Sequence, residues 1–425
     1  MLPLRPTAAL LLALLLCLGA SQSLAYSVLG HEQIIDLAWK DHLVPLLRQR
    51  FPNVSDAQLT EAHAYAYGGS LIHDMGYYPH GNKLFSDLVH YVRSGDFVES
   101  LLRNAQTLNE YAFALGALSH YEADTGGHPA INRSVGMVFP KLQAKYGNPT
   151  YEDSPTAHIR TEFGFDVEQV AKGHYTSDQY HDFIGFAIAT PLLQRAFRET
   201  YGIDLTDLMP DLDKAVGSFR HAVYKLIPQF TRVALTLLPK DQIPADPPTR
   251  ARQKYIYNLS RADYEREFGT KYYRPGLGAK ILALIVKILP KIGPLKAMSF
   301  QVPTPATENL YLASVNRVMD AYDMRLRQVP GGPPQLPNRD FDTGRPTASG
   351  EYKLTDKSYA KLLDMMAQRH FRALTPALRE NILQFYADAA AQNAVKRDKK
   401  KWAKTMKDLQ DLRNASAVTT AADKR

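Results

Sequence analysis

The chain has 425 residues, 45% of them hydrophobic, and a formal net charge of +8. That length allows one large domain plus an extension, and the cationic surplus suits anionic partners such as phospholipid head groups or nucleic acid. The single cysteine, Cys17, lies in the N-terminal apolar run, so the rest of the chain can form neither a disulfide framework nor a thiolate metal site.

Met1 to Arg5 is short and basic, Ala8 to Leu18 is apolar, and Ser23-Leu24-Ala25 offers small residues to a signal peptidase. Residues 1–25 therefore read as a secretory signal peptide, with an apolar core too short to span a membrane. Cleavage after Ala25 makes Tyr26 the first residue of an exported protein, periplasmic or secreted. Gly30-His31 then precedes the apolar pattern Ile34, Ile35, Leu37, Ala38, which puts His31 at the mouth of a helix. A second helix is predicted from about Asp56 to Tyr67, ending at Gly68-Gly69, with Asp74 on the loop that follows. Phe85 to Tyr91 returns to helical spacing and carries His90.

Asn104 to Thr125 is long, rich in Ala and Leu, and helical by spacing. Gly126-Gly127 is expected to end it and Pro129 to prevent its resumption, leaving His128 just past the end. Within it His120 and Asp124 are four residues apart, a separation that sets two side chains on one face. Residues 140–155 read as irregular, and His158 and Glu162 then repeat the four-residue spacing. Further helices are predicted over about Thr176 to Thr200 and Leu208 to Leu238, with little alternation of the kind strands show. The fold class expected is all-α, with a helical C-terminal extension.

Pro244 to Arg250, PADPPTR, reads as a boundary, which divides the mature chain into residues 26–243 and 244–425. Leu277 to Leu289, with Lys280, Lys287 and Lys291 on one face, suits either packing on the core or peripheral contact with a membrane. A Pro/Gly-rich passage from Val329 to Arg345 precedes two expected C-terminal helices. Lys396, Arg397, Lys399, Lys400, Lys401, Lys404 and Lys407 crowd near the end, as a solvated face or as a surface for an anionic partner.

Collected in order, His31, Asp74, His90, His120, Asp124, His128, His158 and Glu162 offer nitrogen and oxygen donors alone. Such a set favours zinc in a catalytic role. Eight side chains are too many for one four-coordinate ion, and Asp124, between two histidines, is the natural bridge between ions. Taken singly, each has an ordinary explanation: a helix-start histidine for His31, a turn residue for Asp74, a surface acid beside Arg160 for Glu162. His63, His73, His80, His174 and His181 are assigned no role.

The ordered set resembles the zinc-dependent phospholipase C family and the related zinc nucleases that cut single strands, over about Tyr26 to Leu238. The HxxxDxxxH spacing is most similar to the phospholipase C-like domain of glycosylphosphatidylinositol-specific phospholipase D. Tyr26-x-x-x-Gly30-His31 resembles the nuclease N-terminus, with Tyr in place of Trp. The resemblance implies three zinc ions: one held by Asp74, His90, His120 and Asp124, a second by His128, His158 and Glu162. The third would take the amino nitrogen and carbonyl oxygen of Tyr26, His31 and the bridging Asp124, so removal of the signal peptide would create a ligand.

Clustered zinc suggests phosphodiester hydrolysis by a water whose pKa the metal lowers, with Asp74 as ligand and proton acceptor. The substrate expected is a phospholipid. Single-stranded nucleic acid is the alternative, with Tyr77-Tyr78 beside Asp74 as a stacking platform, and a zinc-stabilised membrane-binding protein without activity is a third reading. Residues 250–425 resemble no named family and suit capping the site, binding membrane or docking a partner; nothing in them assigns a second chemistry.

Overall fold

The computed structural model describes residues 28–172, 185–227, 301–387 and 399–417. Tyr26, the signal peptide, the Pro244–Arg250 boundary, the Leu277–Leu289 segment, His174, His181, Lys396 and Arg397 lie outside the described residues. Among those described there is no strand, only an isolated bridge between Arg339 and Pro346. The architecture is all-α.

The helices that carry the site are α1 (Val28–Ala38), α2 (Asp56–Leu71), α3 (Lys83–Tyr91), α4 (Leu108–Val138) and α5 (Pro155–Ala171). Their starts follow from capping. Ser55 and Gln58 form a capping box at α2, the Asn82 side chain accepts from Leu84 N–H at α3, and Thr107 accepts from Glu110 N–H at α4. Each satisfies a backbone donor that the first turn leaves without a partner.

α2 and α4 approach one another backbone to backbone. A Cβ on Gly69 would lie 1.9 Å from Phe113 O, and one on Gly116 would lie 2.1 Å from Ala66 O. Only hydrogen fits at either place. Gly116→Ala should raise helix propensity by about 1 kcal/mol, but its methyl would meet a carbonyl that cannot rotate away. The backbone clash outweighs propensity, so a net loss of about 2 kcal/mol is expected in denaturant unfolding; an unchanged midpoint would refute the contact.

Two glycine pairs expected to end helices do not. α2 continues through Gly68-Gly69 to Leu71, and a 3₁₀ turn from Ile72 to Tyr77 follows, so Asp74 sits on that turn rather than on a loop. α4 likewise passes Gly126, Gly127 and Pro129 and ends at Val138. Tertiary packing explains the second case. α6 (Pro305–Leu326) lies along α4, where a Cβ on Gly126 would come 2.9 Å from Val318 Cγ2. Tyr322 OH donates to Leu115 O at 2.9 Å and Arg325 pairs with Glu122 at 3.0 Å. Pro129 cannot donate to Thr125 O, and Gly344 (φ +69°) closes on that carbonyl, where its Cβ would stand at 2.4 Å.

Other boundaries shift as well. His31 lies in the first described turn of α1. Pro140–Tyr146, expected to be irregular, forms two turns of helix. Of the stretch expected as helix from Thr176 to Thr200, residues 176–184 lie outside the described residues, 185–189 are non-helical, and a helix runs from Thr190 to Tyr201. The one expected from Leu208 begins at Leu212. After the Pro/Gly-rich passage, where two helices are expected, the described residues hold three: α7 (Lys353–Gln368), α8 (Pro376–Ala387) and α9 (Lys399–Asn414). α9 packs through Leu409 and Leu412, and its Lys404 bridges Asp364 and Asp408, so one of the clustered lysines is already paired within the chain.

One apolar core joins the two sequence regions. Leu115, Leu118 and Tyr121 of α4 belong to it together with Leu312, Val315 and Val318 of α6 and Phe341 of the passage before α7. No helix among the described residues is long and apolar enough to cross a membrane.

Candidate metal centre

Because α4 runs unbroken, His120, Asp124 and His128 project from one face at successive turns. The structure brings them together with His31 from α1, Asp74 from the 3₁₀ turn, His90 from α3, and His158 and Glu162 from α5. Asp124 is central. Its Oδ1 lies 3.4 Å from His31 Nε2, and its Oδ2 lies 3.1, 3.5 and 3.9 Å from Nε2 of His120, His90 and His128. Asp74 Oδ1 is 3.5 Å from His90 Nε2, and His158 Nε2 is 2.8 Å from Glu162 Oε1.

Three sets of donors converge closely enough to share an ion: His31, His120 and Asp124; Asp74, His90 and His120; His128, His158 and Glu162. None of these residues is more than 2% exposed.

The ring orientations follow from neighbours. His120 Nδ1–H donates to Ser70 O and His90 Nδ1–H donates to Ser86 O, both at 2.8 Å. A carbonyl can only accept, so the proton is fixed on Nδ1 and the lone pair on Nε2, which faces the cluster. The close approach of α2 and α4 at Gly69 and Gly116 is what puts Ser70 O within reach of His120.

Charge and hydrogen bonding show what the cluster lacks. Both oxygens of Asp74, Asp124 and Glu162, and Nε2 of His90, His120, His128 and His158, have no hydrogen-bond partner among the described residues. A buried polar atom left so costs about 1–3 kcal/mol, more than a fold would bear at this number of atoms. Burial pushes the Asp74 and Glu162 carboxyls well above the usual range, and Asp124 and Asp342 add repulsion. Burial also raises Asp124, but His120 beside it, with His90 and His128, outweighs this and holds it well below. His31 is driven well down by burial and His120, and His158 is pushed down to about 3 by burial and His128, so both keep their lone pairs. Among the described residues the ion-pair partners of Asp74, Asp124 and Glu162 are histidines only, with no lysine or arginine. A multivalent cation supplies the missing charge and the missing partners, and N/O donors with no sulfur fit zinc.

Residues 30–208 match the family model of zinc-dependent phospholipase C. Over these residues the chain is similar to the zinc-dependent phospholipase C family. That similarity supports a phosphoric diester hydrolase that uses zinc, and the buried donor sets supply the side chains such an enzyme needs. No curated protein and no solved structure matches the chain.

Three residues beside the phospholipase C donors were not read from sequence. His73, assigned no role, is fully buried and stacks on His120 with ring centroids 4.3 Å apart. Phe341 packs 5.2 Å from the His90 ring and 5.5 Å from His73. Asp342 Oδ1 lies 3.1 Å from His128 Nδ1, and that contact, with a bond from Tyr352, holds its carboxyl down at about 2 against the effect of burial. His63, by contrast, lies mid-way along α2 and pairs with Asp36 at 3.0 Å.

A cleft of about 670 Å³ opens alongside, lined among others by Asn132, Arg133, Arg345, Tyr352 and Lys353. None of the eight donors lines it; Asn132 and Tyr352, which do, both hydrogen-bond to Asp342.

Proposed function

We propose that the protein is an exported phospholipase C that hydrolyses phospholipid at a centre of three zinc ions, with the signal peptide removed. The observation that carries this is the convergence of buried donors around Asp124, in three sets of which two share His120, with His128 of the third 3.9 Å from Asp124. In this reading Asp74, His90, His120 and Asp124 hold one ion, and His128, His158 and Glu162 a second. His31 and Asp124 hold the third with the amino and carbonyl groups of Tyr26.

Zinc bound there supplies Lewis acidity to the phosphoryl oxygens and lowers the pKa of the hydrolytic water. The chain's own part is to fix the geometry. Ser70 and Ser86 carbonyls lock His120 and His90, and the buried walls exclude bulk solvent from the reacting atoms. In the reaction the oxygen of water bonds to phosphorus, the bond from phosphorus to the departing alkoxide oxygen breaks, and Asp74 accepts the proton that water releases. Asp74→Asn, which keeps the shape and loses the base, is expected to slow turnover about 100-fold or more while zinc content falls by less than one ion per chain. Unchanged turnover at full zinc would remove Asp74 from proton transfer.

Phospholipid is favoured over single-stranded nucleic acid because Tyr77 and Tyr78 are buried, with Tyr78 packed against Phe219 at 4.8 Å, and present no ring face to a base. The deciding experiment gives the secreted, zinc-loaded protein phosphatidylcholine vesicles and single-stranded DNA side by side, with N-terminal mass and zinc per chain measured on the same sample. Release of phosphocholine, Tyr26 first and three zincs are expected. DNA cleavage without lipid hydrolysis would make the protein a nuclease, and vesicle binding that survives His120→Ala with no hydrolysis of either would make it a membrane-binding protein.

A further inference from the structure

We propose that Asp342 is a positioning residue of the metal centre, acting through His128. The proposal rests on the reading of His128 as a zinc ligand. It assigns a task to the passage between α6 and α7, which lies beyond the residues that match the family.

Three observations lead there. The first is the contact itself: His128 Nδ1 lies 3.1 Å from Asp342 Oδ1, with both side chains fully buried. His90 and His120 have their Nδ1 tied by carbonyls of α3 and α2. At His128 that place is taken by a carboxylate brought in from more than two hundred positions along the chain. A carboxylate on one ring nitrogen fixes the ring's orientation and makes the other nitrogen a stronger donor.

The second is that Asp342 is itself held rigid. Tyr91 OH donates to Oδ2 at 3.0 Å and Tyr352 OH donates to the same oxygen, which leaves Oδ1 directed at His128. Asn132, one turn beyond His128 on α4, donates its Nδ2 to Asp342 O at 2.8 Å.

The third is that the whole passage is anchored for this placement. Asn338 Oδ1 accepts the N–H groups of Gly95 and Asp96 at 3.0 and 3.1 Å. Ser94 Oγ donates to Arg339 O at 2.6 Å, and Phe341 N–H donates to His90 O at 3.3 Å. Phe341 and Asp342 thus reach the cluster side by side, one against the His90 ring and one against His128. A passage that served only to cover the site would bury an apolar side chain at position 342. A further acid in a site already crowded with carboxylates is unfavourable unless it acts on a cationic centre.

The test uses the full chain, freed of zinc and titrated with zinc against a competing chelator. Asp342→Asn is expected to weaken one zinc site 10–100-fold and leave the others as in the wild type. His128→Ala should weaken the same site, and adding Asp342→Asn to it should bring no further loss, since the carboxylate would then have nothing to orient. In the cobalt-substituted protein, the visible absorption of that one site should shift in Asp342→Asn, a change that a purely structural role would not produce. Should Asp342→Asn fail to fold, Tyr352→Phe carries the same test in milder form: it releases one restraint on Oδ2 and should weaken that site alone. Zinc affinity unchanged by the variant, or a loss that adds in full to that of His128→Ala, would overturn the proposal. Failure of the wild type to take up zinc would overturn the zinc reading together with it, so the two failures are told apart by the wild-type titration.

Discussion

Asp124→Ala is expected to lower phosphodiesterase turnover by a factor on the order of 1,000 or more and to remove at least one zinc per chain. The reason is its position. Its two oxygens face four histidines from three helices, at 3.1 to 3.9 Å, so it reaches members of all three donor sets. Loss of a shared carboxylate removes negative charge from two sites at once, and each metal supplies several kcal/mol of transition-state stabilisation. About 4 kcal/mol corresponds to roughly a thousandfold in rate. The control is two positions away on the same helix. Glu122 pairs with Arg325 at 3.0 Å and touches none of the donors, so Glu122→Gln should leave turnover as it is and cost about 1 kcal/mol of stability or less. Asp124→Ala with full zinc and wild-type turnover would show that the cluster is not the active site.

The pairs that mattered most were legible because helical periodicity alone brings them together. His120 with Asp124, and His158 with Glu162, sit four residues apart on long helices, and no tertiary knowledge is needed to place them on one face. Gly126-Gly127 misled for an equally physical reason. A glycine that ends a helix and one that admits a neighbouring helix look the same in sequence, and only the presence of Val318 opposite Gly126 distinguishes them. His128 was therefore expected past a helix end, although it projects one turn beyond Asp124.

Asp342 lay beyond reach of any such argument. It belongs to a passage with no periodicity, and its partners His128, Tyr91, Asn132 and Tyr352 come from α4, α3 and the approach to α7. His73 is an intermediate case. It adjoins Asp74, yet its burial against His120 depends on the 3₁₀ turn that replaced the expected loop. Local pattern thus located the donors themselves, and long-range packing decided what holds them in place.

Removal of zinc should destabilise the fold strongly and reverse the way its stability depends on pH. A ligand present at about a thousand times its dissociation constant stabilises the native state by about 4 kcal/mol per site, so the three sites proposed above would give roughly 12 kcal/mol and a fall in Tm on the order of 20 °C with chelator. The sign of the pH effect comes from the buried acids. In the zinc-free protein Asp74 and Glu162 have pKa values raised by burial and by neighbouring carboxylates, and Asp340 is pushed up to about 8 by burial and Asp342. Such groups bind protons more tightly folded than unfolded, so the stability they contribute is present at lower pH and is lost as pH rises through the folded pKa, by about 1.4 kcal/mol per pH unit for each proton. His31, His73 and His158, with depressed values, act the other way, but only below about pH 6.5 where the unfolded histidines take up protons. Between pH 6.5 and 8.5 the zinc-free protein should therefore lose stability as pH rises. The zinc-loaded protein should not, because zinc displaces the same protons and binds better as they leave. Calorimetry at pH 6.5, 7.5 and 8.5 with and without chelator checks both statements. A gap between the two curves that narrows with rising pH, or a Tm indifferent to chelator, would mean that the carboxylates around Asp124 are balanced by something other than a metal.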